Sequence, residues 1–247
     1  MPILNDTQLD QINLPNSHYG YSATRLEDLG ATEYTIATIV ADVSGSTAAF
    51  TLDMEAAITR IVQACKFSPR ADNLLLRLLT FDDSLTEFHG FKLLENCHLA
   101  DYGGSLRSGG STALYDATEN AVVSTTNYAH KLSAADFSAN AILFVITDGM
   151  DNASRTSPKL VKAALADAIK SEALESVVSI LIGVNVQLAE VSRYLNQFQR
   201  DAGFTQYVEL DQADAKTLAR LAEFVSRSIS AQSQALGTGG ASQPLVF

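Results

Sequence analysis

Asp42, Ser44 and Ser46 alternate along one short segment, Asp42-Val43-Ser44-Gly45-Ser46. They offer a carboxylate and two hydroxyls, with no nitrogen or sulfur among the donors. Hard divalent cations such as Mg2+ take ligand sets of this kind. Two further oxygen-bearing segments lie far along the chain, Gly109-Gly110-Ser111-Thr112 and Thr147-Asp148-Gly149. One cation could be held by the hydroxyls of Ser44, Ser46 and Thr112, with Asp42 and Asp148 nearby. Hydroxyls are weak, neutral ligands, so a Mg2+ bound this way keeps waters and stays electrophilic. It would accept a carboxylate from another molecule to complete its octahedron.

These segments meet only if the right elements carry them. Asp42 closes an apolar, β-branched run over 34–43, which reads as a buried parallel strand. Similar runs over 73–82, 140–147, 177–184 and 206–210 predict further strands, and 85–94 predicts a strand antiparallel to its predecessor, at the sheet edge. Helical spacing marks 48–66, 112–132, 158–172, 188–202 and 213–231. Strands alternating with helices predict an α/β protein, a three-layer αβα sandwich on a doubly wound, mostly parallel six-stranded sheet with one antiparallel edge strand. In such a sheet the carboxyl ends of the strands form the ligand crevice. The three oxygen-bearing segments would then share one rim.

Residues 1–33 are polar, contain Pro2, Pro15 and Gly20, and read as an N-terminal extension with room for one short edge strand. Residues 34–232 form the predicted domain. Residues 233–247 are too rich in Gly, Ser and Gln to fold alone. The apolar terminus Pro244-Leu245-Val246-Phe247 has three readings: a disordered end, a segment docked on its own domain, or a strand added to a partner's sheet.

Charge and composition narrow the function. A formal net charge of −11 leaves little to replace phosphate counterions, which argues against nucleic acid and against anionic membranes. No apolar stretch approaches the roughly 20 residues that span a bilayer. The first residues lack the basic and apolar regions of a secretory leader. Cys65 and Cys97 show no paired spacing and read as reduced thiols of a cytoplasmic protein. No Gly-x-x-x-x-Gly-Lys-[Ser/Thr], no Gly-x-Gly-x-x-Gly after the first strand and no Gly-x-Ser-x-Gly is present. His18, His89, His98 and His130 are scattered and read as surface or edge residues rather than zinc ligands.

Simpler roles exist for each residue. Ser44, Ser46 and Thr112 could cap helices. Asp148 before Gly149 could be a turn. Asp116 and Asp151 read as turn residues or supports for the ligands rather than ligands themselves. A phosphoryl-transfer enzyme is the main competitor, since such enzymes can place an aspartate and Mg2+ at the end of the first strand. Haloacid-dehalogenase-like phosphatases use Asp-x-Asp there, whereas position 44 is serine. The chain is therefore expected not to be an enzyme.

In order and context the three segments resemble the von Willebrand factor type A (vWA) domain with its metal-ion-dependent adhesion site (MIDAS), of the bacterial intracellular type. That pattern is Asp-x-Ser-x-Ser, a distant Thr and a distant Asp, matched here by Asp42, Ser44, Ser46, Thr112 and Asp148. The surroundings Gly110-Ser111-Thr112-Ala113-Leu114-Tyr115-Asp116-Ala117 and Ile146-Thr147-Asp148-Gly149-Met150-Asp151-Asn152 are similar as well. The resemblance spans roughly 34–230. It implies a Rossmann-like vWA fold whose two serines and threonine contact Mg2+ (or Mn2+ or Ca2+) while the aspartates often act through water. It also implies a protein partner that presents Asp or Glu to the metal, within an intracellular assembly or stress-response system. A purely structural scaffold with a vestigial site is a further reading.

Overall fold

The computed structural model describes residues 9–14, 19–238 and 244–247. Pro2, Pro15 and His18 lie outside the described residues. The strands are β1 (Leu9–Ile12), β2 (Tyr21–Thr24), β3 (Glu33–Asp42), β4 (Leu74–Phe81), β5 (Leu85–Leu93), β6 (Ser138–Thr147), β7 (Val177–Gly183) and β8 (Gln206–Glu209). They form one sheet in the order β1-β2-β5-β4-β3-β6-β7-β8. Five helices cover it: α1 (Thr51–Lys66), α2 (Leu114–Ser133), α3 (Pro158–Lys170), α4 (Ala189–Ala202) and α5 (Ala215–Ala235).

The central strands are buried on both faces because their side chains alternate between two helical layers. Ala37, Ile39 and Ala41 of β3, with Ile142, Phe144 and Ile146 of β6, pack against α1 and α5. Ile36 and Val40, with Leu143 and Val145, pack against α2, α3 and α4. β3 runs parallel to both β4 and β6, which places it at the centre of the sheet.

The sheet has eight strands among the described residues, two more than the sequence periodicity predicts. Both come from the N-terminal segment. β2 pairs in parallel with β5, and β1 pairs antiparallel with β2. β5 is antiparallel to β4 as expected, but it is not the edge. Tyr21, Ser22, Ala23 and Thr24 are all buried, although three of the four carry hydroxyls. Hydrogen bonds make this possible. Tyr21 donates to Asn127 at 2.7 Å, Thr24 donates to the Phe91 carbonyl at 2.9 Å, and Tyr128 donates to the Thr24 carbonyl at 2.8 Å.

Arg77 lies fully buried on β4. It donates to Glu87 at 2.7 Å, to Ser124 at 2.7 Å and to Asn120 at 3.0 Å. The other Glu87 oxygen accepts from the Ser22 amide and hydroxyl at 2.9 and 2.7 Å. This paired charge joins β4, β5, β2 and α2 through one network. His89 is likewise not a surface residue. It is buried, with Nε2 2.8 Å from the Tyr102 hydroxyl. His98 and His130 are exposed.

Cys65 and Cys97 are free, buried thiols in the α1-side core. The carboxyl terminus packs on that layer too. Leu245 and Phe247 lie against it, Phe247 meets Phe224 edge-on at a centroid distance of 5.4 Å, and the Arg220 guanidinium sits 5.0 Å from the Phe247 ring centre.

Candidate metal centre

β3 and β6 are parallel neighbours in register from Glu33 and Ser138 to Ala41 and Ile146. Their carboxyl ends therefore release Asp42 and Asp148 at the same rim. Asp42 Oδ1 accepts from the Ser44 amide at 2.8 Å, and Oδ2 accepts from the Thr147 hydroxyl at 2.6 Å. The Ser44 and Ser46 hydroxyls are 3.2 Å apart, and Ser46 donates to Asp148 Oδ1 at 2.8 Å. Four of the five residues singled out in the sequence thus touch in one continuous chain.

Thr112 reaches this rim through its backbone. Gly45 N donates to the Gly110 carbonyl at 3.2 Å and Gly109 N to the Val43 carbonyl at 2.8 Å. On the other side, Asn152 N donates to the Thr112 carbonyl at 2.9 Å. The loop turns at Gly110, where φ is +68° and a Cβ would lie 3.2 Å from the Asp82 Cβ. Glycine takes that conformation and that close approach without strain.

The helix-cap roles fail on geometry. Ser44 precedes a short 3-10 turn (Gly45–Ala49), and its side chain makes no cap hydrogen bond. Phe50 precedes α1, and Ala113 rather than Thr112 precedes α2. Asp116 and Asp151 do other work. Asp116 accepts from the Arg155 and Thr156 amides at 3.1 and 2.7 Å, and Asp151 accepts from the Tyr115 amide at 3.3 Å. They fasten the loop after Asp148 to the first turn of α2.

Three supporting residues escape sequence reasoning. Thr147 lies in the oxygen-bearing segment that the sequence offers, but its role toward Asp42 does not show there. Asn152 was legible only as context. Glu55, buried on α1, accepts from the Gly104 and Leu106 amides at 3.1 and 2.7 Å and so holds the start of the glycine-rich loop. Its signal is a carboxylate amid the apolar face formed by Met54, Ala57, Ile58 and Ile61.

The electrostatics favour an added positive charge. Burial raises Asp42 to about 6, against the pull of hydrogen bonds from Ser44 and Thr147, and the Asp148 charge pushes the same way as burial. Burial also raises Asp148, opposed by the Ser46 hydroxyl. Among the described residues, neither carboxylate has a Lys, Arg or His at salt-bridge distance. Among the same residues, no group of three or more His, Cys, Asp or Glu is placed to hold a metal. The oxygens that meet here are different in kind: the Asp42 and Asp148 carboxylates with the Ser44, Ser46 and Thr147 hydroxyls, all hard oxygen. That set fits a hard divalent cation.

Solved structures share this architecture. The pilus adhesin SpaC from Lactobacillus rhamnosus GG matches with a TM-score of 0.60 and 10% identity, over 86% of this chain and 32% of its own. The PilB minor pilin from Streptococcus sanguinis matches with a TM-score of 0.57 and 15% identity, over 85% and 64%. Proximal thread matrix protein 1 from the mussel byssus, in a structure whose MIDAS motif is occupied by zinc, matches with a TM-score of 0.54 and 20% identity, over 81% and 46%. The fold is vWA-like. The vWA-like chain spans between about a third and two thirds of the length of these neighbours, and at such identities the likeness is one of fold. No family model and no curated protein matches the chain. Among the described residues, no helix of this vWA-like protein is long and apolar enough to cross a membrane.

Proposed function

We propose that this vWA-like chain is a divalent-cation-dependent protein-binding module. Ser44, Ser46 and Thr112 would hold Mg2+ (or Mn2+ or Ca2+) through their hydroxyls, with Asp42 and Asp148 supplying the negative charge. A partner protein would complete the coordination with an Asp or Glu side chain. The single observation that carries this reading is Asp42. It is a carboxylate only 3% exposed, beside three hydroxyls and a second carboxylate, with no Lys, Arg or His among the described residues at salt-bridge distance to balance it. Keeping such a group ionised in the interior is costly unless a positive charge arrives.

The module binds rather than turns over its ligand. A hydroxyl stands at position 44 where a phosphoryl-transfer enzyme of the Asp-x-Asp type needs its general acid. The neighbours support a binding role, since one is a pilus adhesin and another carries zinc in its MIDAS motif. Cytoplasmic placement, within an intracellular assembly or stress-response system, belongs to the same proposal. It rests on the two free thiols and is tested by cell fractionation.

Partner capture with and without a chelator tests the function. Recovery should depend on Mg2+ and be lost in Asp42→Ala. Equal recovery with EDTA present, or from that variant, contradicts the proposal.

A further inference from the structure

We infer that Asn152 is the positioning residue that fixes Thr112 over the cation pocket, and that it does so without touching the ion. The inference rests on the cation-site reading above. Asn152 Oδ1 accepts from the Thr112 backbone N–H at 2.7 Å, and the Asn152 backbone N–H donates to the Thr112 carbonyl at 2.9 Å. One residue therefore holds both backbone polar groups of Thr112. The Ala153 amide shares the same carbonyl at 3.2 Å.

The segment that carries Asn152 is itself anchored. The Ser154 hydroxyl accepts from the Tyr115 and Asp116 amides, each at 3.0 Å, and the Asp151 amide donates to the Tyr194 hydroxyl at 3.2 Å. With the Asp116 contacts described above, these bonds build the loop after Asp148 onto α2 and α4. Asn152 passes that rigidity on to Thr112. Glu55 holds the start of the loop, and the ties nearer Thr112 run from backbone to backbone: Gly45 to Gly110, Gly109 to Val43, and Ala113 to the Asp82 carbonyl at 2.7 Å. Among the described residues, Asn152 alone supplies a side chain to the ties of residues 109–113.

Two consequences follow for the site. The Asn152 bonds tie the Thr112 backbone to the loop that follows Asp148, so the two segments are held together at the rim. A neutral hydroxyl is also a weak ligand, so its contribution depends on placement to within a fraction of an ångström. Residues that orient metal ligands typically change affinity about 10–100-fold when removed.

The test is Mg2+ titration by calorimetry on the full chain as wild type, Asn152→Ala and Asn152→Asp, with melting temperatures recorded in EDTA. Asn152→Ala should weaken Mg2+ about tenfold or more while its melting temperature in EDTA stays near wild type. Asn152→Asp keeps the acceptor oxygen and should restore wild-type affinity or better. Wild-type affinity in Asn152→Ala overturns the inference and leaves the cation site intact. A parallel loss of affinity and of EDTA melting temperature, unrescued by Asn152→Asp, also overturns it, because the role is then only structural. Absence of Mg2+ binding in the wild type removes the cation-site reading and this inference together.

Discussion

Thr147 ends β6 with its hydroxyl 2.6 Å from Asp42 Oδ2, so the two central strands are joined at the rim by a hydrogen bond between buried side chains. The bond favours the ionised form of Asp42 and offsets part of the burial that opposes it. Replacing Thr147 with valine keeps the shape and removes the donor. Loss of a buried hydrogen bond to a charged group costs about 1.5–3 kcal/mol. Urea unfolding in EDTA near pH 7.5 should show that loss, and Thr147→Ser should recover most of it. An unaltered midpoint in the valine variant would mean that the bond contributes nothing.

The pH dependence follows from the direction of the Asp42 shift. Its folded value of about 6 lies above its unfolded value, so the native state binds more protons between those limits. Stability from this group is present at low pH and is lost as pH rises through about 6. Metal-free wild type should therefore lose on the order of 3 kcal/mol relative to Asp42→Asn between pH 4 and 7. Mg2+ should raise the melting temperature more at pH 7.5 than at pH 5, where protons compete for the carboxylate. Melts at both pH values, with Mg2+ and with EDTA, measure this. A larger Mg2+ effect at pH 5 contradicts it.

Breaking the Arg77–Glu87 pair leaves one buried charge without its partner. Such losses cost about 3–5 kcal/mol. Glu87→Ala should fall in that range by chemical denaturation. Because Glu87 also holds Ser22, hydrogen exchange should quicken at Tyr21–Thr24 before it quickens in β3. Uniform exchange across the sheet would show that β2 does not depend on this network.

Truncation after Thr238 removes the ring that Phe224 and Arg220 contact. The Phe247 side chain is only partly buried, so a loss of about 1–2 kcal/mol is expected. A melting temperature equal to wild type would show that docking of the terminus adds nothing to stability.

Much of this was legible in the sequence because the signals were long or repeated. The apolar runs at 34–43 and 140–147 exceed what an edge strand needs, and their shared rim followed from α/β topology. The four-residue β2 was illegible. Its sequence Tyr-Ser-Ala-Thr shows no apolar alternation, and its burial depends on partners at Glu87, Phe91, Asn127 and Tyr128 that are distant in the chain. The burial of Arg77 in a leucine-rich strand was illegible as well, because its partners Glu87, Asn120 and Ser124 lie on other elements. At the site, Asp42, Ser44, Ser46, Thr112 and Asp148 could be selected by donor chemistry. Thr147, Asn152 and Glu55 could not, because their contribution is orientation and orientation exists only after folding.

Calorimetric titration of the EDTA-stripped chain with Mg2+, on wild type and on Thr112→Ala, tests the central claim most directly. The account predicts saturable binding of one ion per chain in the wild type and a marked loss of affinity in the variant. No heat of binding in the wild type, or identical isotherms for the two proteins, would contradict it.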